Sequence, residues 1–159
     1  MNETGNVCAL KPASERLAAA YGVWCDLAAG RVGPRREEIT PARLRSAIAA
    51  TFVVDVLDGG KDFRFRFAGD RIIQFMGRRL AGKLLSEQRG TPFFDGMHGM
   101  YTHCVAAREP ILAGPMPVTY PGKEFLEIEV LAMPLSDDGQ AITALFGAFD
   151  TWQLGTHRV

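Results

Sequence analysis

Leu17, Ala20, Tyr21, Trp24, Leu27 and Ala28 recur at spacings of three and four and draw one apolar stripe down a predicted helix. Ser14 stands as its cap ahead of Glu15, and Gly30 ends it. A polar stretch over residues 31–38 leads to Thr40-Pro41, a cap and first-turn pair for a short second helix carrying Leu44 and Ile48. The period then changes. Residues 51–58 read as a strand, and Asp58-Gly59-Gly60-Lys61 is a turn signal. In Phe63-Arg64-Phe65-Arg66-Phe67 apolar and basic residues alternate, which predicts three rings on one face and two guanidiniums on the other. The two strands make a predicted hairpin.

A helical block follows. Asp70 can cap a short helix with Ile72, Ile73, Phe75 and Met76, closed by Gly77, and a looser stretch over residues 82–88 reads as a turn or single helical turn. After Pro92, the residues Phe93, Met97, Met100, Tyr101, Cys104 and Val105 form an amphipathic stripe on a longer helix. The last third returns to strands. Residues 111–119 contain Pro115 and Pro117, which cannot donate ladder hydrogen bonds, so this strand belongs on a sheet edge. Tyr120-Pro121-Gly122-Lys123 is a turn, and residues 125–133 and 141–149 are strands joined at Asp137-Asp138-Gly139.

Two strands, a helical crossover and a three-strand meander are the order of the PAS fold. The stretch Phe65-Arg66-Phe67-Ala68-Gly69-Asp70, followed by Gly77-Arg78-Arg79-Leu80-Ala81-Gly82-Lys83-Leu84-Leu85, resembles a bacterial family of small stand-alone PAS proteins. In that family a strand end of the form F-x-Y/F-R-hydrophobic-x-G precedes a G-R-x-L-x-G segment. Trp24, Gly30, Pro34-Arg35 and Ile39-Thr40-Pro41 fit the same family's helix-loop-helix opening, so the resemblance spans roughly residues 24–152. It implies an α+β fold, a PAS-like five-stranded antiparallel sheet with helices packed on one face, preceded by an N-terminal helix. The expected division is a flexible tail over residues 1–13, a helical extension over 14–50, the PAS-like domain over 51–152 and a second tail over 153–159. No flavin-cysteine or haem motif is present, which leaves the ligand unnamed. No kinase, cyclase or DNA-binding effector is recognisable within the 159 residues, so output is expected to act in trans on a signalling partner.

Charge narrows the partners. Eighteen basic residues balance eighteen acidic ones and are scattered, apart from Arg35-Arg36 and Arg78-Arg79, which argues against nucleic acid. Zero net charge gives little repulsion between copies and is compatible with a homodimer. Tyr21 and Trp24 are the interface candidates, because their stripe needs cover from its own sheet or from a second subunit. No apolar run approaches a membrane span, and the first residues do not read as a signal peptide. The three cysteines, Cys8, Cys25 and Cys104, are odd in number and widely spaced; a reduced, cytoplasmic protein without a disulfide framework is the simplest expectation.

Several motifs invite a chemical reading and fail it. Gly77-Arg78-Arg79-Leu80-Ala81-Gly82-Lys83 fits the phosphate-loop spacing, yet Leu84 stands where Ser or Thr must hold magnesium, so a turn is expected. His98 and His103, five apart, diverge by roughly 140° on a helix and cannot grip one ion. His98 alone could serve as an axial haem ligand; the alternative is a boundary histidine bonded locally. Glu127 and Glu129, on one strand face, read as solvated. Arg64 and Arg66 read as structural edge charges, with Asp55 a conceivable partner for Arg66. No catalytic constellation emerges, so an enzyme is not expected. Phe52, Phe65, Phe67, Phe75, Phe93, Met97, Tyr101 and Phe146 can face the space between sheet and helices, and are the candidate cavity residues. A sensory module binding a small ligand or a partner is the leading expectation. A ligand-free interaction domain and, more remotely, a small NTF2-like enzyme are the alternatives.

Overall fold

The computed structural model describes residues 8–88 and 90–156. Helix α1 (Glu15–Ala28) opens where expected, with the Ser14 side chain accepting from the Leu17 amide at 3.2 Å. Ala29, in the left-handed region, closes it ahead of Gly30. The second helix is shorter than its pattern. Helix α2 covers only Pro41–Leu44, because Arg45 takes a positive φ of 55° and the chain continues as a 3-10 helix to Ala50.

Strands β1 (Thr51–Leu57) and β2 (Asp62–Ala68) form the hairpin. Helix α3 (Asp70–Met76) is capped by Gly69 rather than Asp70, which is its first residue. Helix α4 (Pro92–Ala107) follows, its Thr91 hydroxyl accepting from the Phe94 amide at 3.3 Å. Strands β3 (Ile111–Pro117), β4 (Leu126–Leu135) and β5 (Ala144–Gln153) complete one antiparallel sheet of order β2-β1-β5-β4-β3. The proline-bearing β3 lies at an edge, as its missing donors require. The phosphate-loop look-alike is a turn: Gly82 has φ +84°, and Gly82 and Lys83 bond to Phe65 along the outer side of β2.

Both faces of the sheet are covered. One carries α3 and α4 over Phe52, Phe63, Phe65, Val130 and Phe149; the other carries α1 over Leu131, Met133, Phe146 and Ala148. Two apolar layers explain why the β4 and β5 cores read as continuous apolar runs rather than alternating ones. Tyr21 and Trp24 are therefore buried against their own sheet, and not offered to a second subunit.

Three further expectations are corrected here. Cys8 pairs with Cys25 in a disulfide, so residues 8–13 of the expected tail are tied to α1; the Leu10 amide also donates to the Tyr21 hydroxyl at 3.2 Å. The count and spacing of cysteines carried no trace of that pairing. Glu129 is not solvated: it lies on the α1 face, 1% exposed, and accepts from the amides of Ala13 and Ser14 at 2.7 and 2.8 Å. Finally, the Phe-Arg alternation of β2 breaks. The register slips between Val53 and Val54, leaving Arg66 unpaired between Phe65 and Phe67. That bulge turns Phe67 to the α1 face, because one extra residue reverses every side chain beyond it.

Candidate functional site

The space under α4 is aromatic. Helical spacing sets Phe93, Met97, Tyr101 and Cys104 on one buried stripe, facing Phe52, Phe63 and Phe65 from the hairpin and Phe75 from α3. Six of the eight predicted cavity residues thus meet: Phe52, Phe65, Phe75, Phe93, Met97 and Tyr101. Phe67 and Phe146 do not, since the bulge and the parity of β5 put them on the α1 side.

Two clusters divide the space. At one end the Tyr101 ring lies between Phe52, at 5.6 Å, and Phe63, at 5.4 Å and edge-on. At the other, Phe75 meets Phe93, Tyr120 and Phe149 at 5.6, 5.6 and 5.3 Å. These are ordinary spacings for attractive ring pairs. Tyr120 and Phe94 belong to this second cluster, which the sequence pattern does not mark: Tyr120 falls in a turn signal, and Phe94 lies beside the stripe rather than on it. Beside Phe75 and Phe149 a cavity of about 240 Å³ opens to the surface, rimmed by Arg71, Lys123 and Asp150. Lys123 Nζ stands 5.6 Å from the centre of the Phe75 ring.

One polar atom interrupts the apolar interior. Tyr101 is fully buried, and its hydroxyl has no hydrogen-bond partner among the described residues. Burial holds its pKa well above the ordinary phenol value, so it is a neutral donor. Nearby, Cys104 shares its sulfur between the carbonyls of Glu109 and Ala132, at 3.4 and 3.5 Å; burial and then the Glu109 charge push its thiol up to about 12.

The remaining candidates have local duties. His98 Nε2 lies 2.8 Å from the Lys61 carbonyl and the ring meets Phe63 edge-on, so it braces the β1–β2 turn. No group of three metal-ligating side chains occurs among the described residues; His157 lies outside them. Arg64 is half-buried opposite Asp55 in the ladder, while Arg66 binds the Asp55 carboxylate through Nε. Arg36, which the sequence did not single out, binds the other Asp55 oxygen.

A profile of the PAS domain family matches residues 10–150. The chain belongs to that family. The match takes in α1, the crossover and all but the end of the sheet, so the N-terminal helix lies within the matched region. Among solved structures, the PAS domain of histidine kinase ThkA is similar at 14% identity and a TM-score of 0.46, over 64% of this chain and 98% of that one. No curated protein sequence matches. Membership of the PAS family suggests a sensory or regulatory module in general. No helix among the described residues is long and apolar enough to cross a membrane.

Proposed function

We propose that this PAS protein is a non-catalytic regulatory module that binds a small apolar or amphipathic ligand between α4 and the sheet and signals in trans to a partner protein. The observation that supports this reading is the Tyr101 hydroxyl. Burying a donor unpaired costs roughly 1–3 kcal/mol, a cost that a core of phenylalanines would avoid by having one more. A ligand with one acceptor that reached this hydroxyl would satisfy it and be held otherwise by rings and Met97. Native mass spectrometry of the purified protein tests this, compared with the mass after denaturation. A bound species retained by the parent chain and lost by Tyr101→Phe supports the reading; bare protein in both sinks it.

A second reading, a ligand-free interaction domain, is favoured by a different feature. Phe125 and Leu154 are 59% and 50% exposed and adjacent, with the Leu154 amide bonded to the Phe125 carbonyl at 2.9 Å. A homodimer or a signalling partner would cover them, and α1 would not take part. Light scattering of Phe125→Lys reads this directly: a monomer where the parent is a dimer supports it, and an unchanged mass removes the patch.

The proposed site of action is the cytoplasm. Cysteine usage no longer argues for it, since a reducing pool would oppose the Cys8–Cys25 bond. Trapping thiols by alkylation in intact cells decides: both cysteines recovered alkylated fit the cytoplasm, and a retained disulfide moves the protein to an oxidising compartment.

A further inference from the structure

The bulge in β2 has built a second, separate pocket on the opposite side of the sheet. It is a groove of about 250 Å³ between α2 with its flanking residues and the exposed end of the hairpin, walled by Ile39, Leu44, Ile48, Val53 and Phe146. Phe67 closes one side and is 37% exposed, an unusual state for a strand phenylalanine that the slipped register has turned toward a helix. At the rim stand Arg36 and Arg66.

The rim carries an unbalanced charge. Arg36 and Arg66 both bind Asp55, which is buried, and Arg64 lies opposite it in the ladder. Asp137 accepts from the Arg36 backbone amide at 3.3 Å and does not line the groove, and neither does Arg64. At the rim itself two guanidiniums, Arg36 and Arg66, share the one carboxylate of Asp55, and one positive charge is left over. The other nearby ions, Arg31 with Glu38 and Arg35 with Glu37, pair with each other. Arg66 engages Asp55 through Nε alone, which leaves the terminal fork of a five-donor guanidinium for a further acceptor.

We propose that this groove binds an amphipathic monocarboxylate, its head on the Arg36–Arg66 rim and its apolar chain laid over Phe67, Val53 and Phe146. A single net positive charge matches a monoanion, and a planar guanidinium matches a carboxylate in two parallel hydrogen bonds. The chain length follows from the space. If each carbon fills the ~30 Å³ share of a liquid water molecule, the groove of about 250 Å³ holds a chain of about eight carbons. Covering Phe67 supplies the apolar gain on binding. This site is independent of the interior one, because the sheet separates them.

The test is an NMR titration of the full chain with octanoate, octanol and octylammonium. Octanoate should bind saturably, with amide shifts centred on Ile39, Val53 and Phe67, and octanol and octylammonium should bind at least about tenfold more weakly, the usual worth of a charge-assisted hydrogen bond. Arg66→Gln should erase the preference for the anion, and Phe67→Ser should weaken octanoate about tenfold by removing a buried ring face. Equal binding of the three probes, or no saturable shift, overturns the proposal. Shifts centred on Tyr101 and Phe93 also overturn it, while leaving the interior reading intact. Should Arg66→Gln fail to fold, the comparison of the three probes on the parent chain still decides.

Discussion

Trp24 donates its indole N–H to the Pro134 carbonyl at 2.8 Å, in a contact fully closed to solvent and 110 residues long. It fastens α1 to β4 by a bond as well as by packing, so the N-terminal helix is one layer of the domain. Trp24→Phe would leave the buried carbonyl unpaired and a gap beside it. We expect a loss of about 2 kcal/mol in urea unfolding, from a lost hydrogen bond and a cavity together. Deletion of residues 8–39 should expose the whole Leu131–Met133–Phe146 face and yield aggregated chain rather than a folded monomer; a soluble, cooperatively unfolding fragment would show that α1 is dispensable.

Glu129 and Asp150 lie opposite each other in the ladder and would repel if both were bare. Each is answered by the start of α1. Glu129 takes the Ala13 and Ser14 amides, and Asp150 takes the Ser14 hydroxyl at 2.8 Å, with Arg71 at 2.8 Å and Arg16 at 3.5 Å. The positive end of the helix adds to this. Glu129→Gln keeps the shape and replaces one acceptor oxygen by a donor that faces another donor. A loss of about 2 kcal/mol in chemical denaturation is expected, the scale of a buried bond to a charge. A neutral result would mean that the carboxylate contributes nothing to docking.

The layout of strands and helices is readable because local signals agree with it: Ser14 and Thr40 as caps, the α4 stripe, and prolines that confine β3 to an edge. What escaped notice came from relations between distant segments. Phe63 to Phe67 alternates without fault, and only the pairing of β2 with β1 reveals that Arg66 is the extra residue. Glu129 looks solvated until a helix 115 residues earlier in the chain lands on it. A second layer was nevertheless visible in principle. The run from Val130 to Leu135 does not alternate, and an unbroken apolar run marks a strand covered on both faces. Six of the cavity residues are legible from helical and strand parity; Phe67 is lost to the bulge, and Phe146 lies on a strand covered on both faces, where alternation alone does not say which side holds the cavity.

Gly69 joins β2 to α3 with its amide on the Thr51 carbonyl at 2.8 Å. A β-carbon there would fall well inside contact distance of the backbone carbonyls of Ile48 and Ala49, which cannot swing aside. Its φ of −70° is open to any residue, so space alone is the constraint. Gly69→Ala should cost about 2 kcal/mol, as overpacking against fixed neighbours does, and lower the midpoint of thermal unfolding. Gly77→Ala, with nothing within 4 Å but a φ of +75°, should cost less.

The cysteines give a counting test. Denatured without reductant, the chain should present one thiol to a chromogenic disulfide reagent, Cys104, and three after reduction. In the folded protein Cys104 should stay unlabelled at pH 8, since burial raises its thiol to about 12 and removes the reactive thiolate. The folded chain keeps a proton that the unfolded chain releases near its ordinary value of 9, so this stabilisation is complete below about pH 9 and is lost as pH rises toward 12. Cys104→Ser should change the pH dependence of unfolding in that range and leave it unchanged at neutral pH. Labelling of the folded protein at pH 8 would contradict the burial.

Tyr101→Phe separates a hydroxyl kept for binding from one kept for structure. The ring contacts with Phe52 and Phe63 survive the change, and only an unpaired buried oxygen is removed. In protein stripped of any ligand by unfolding and refolding, the variant should be more stable than the parent by about 1 kcal/mol, because the desolvation cost of the hydroxyl disappears with it. A structural hydroxyl would give the reverse, a loss of similar size. The two outcomes differ in sign, so thermal unfolding of the refolded pair is sufficient to tell them apart. A variant less stable than its parent would mean that the oxygen has a partner inside the chain and would remove the support for an interior ligand.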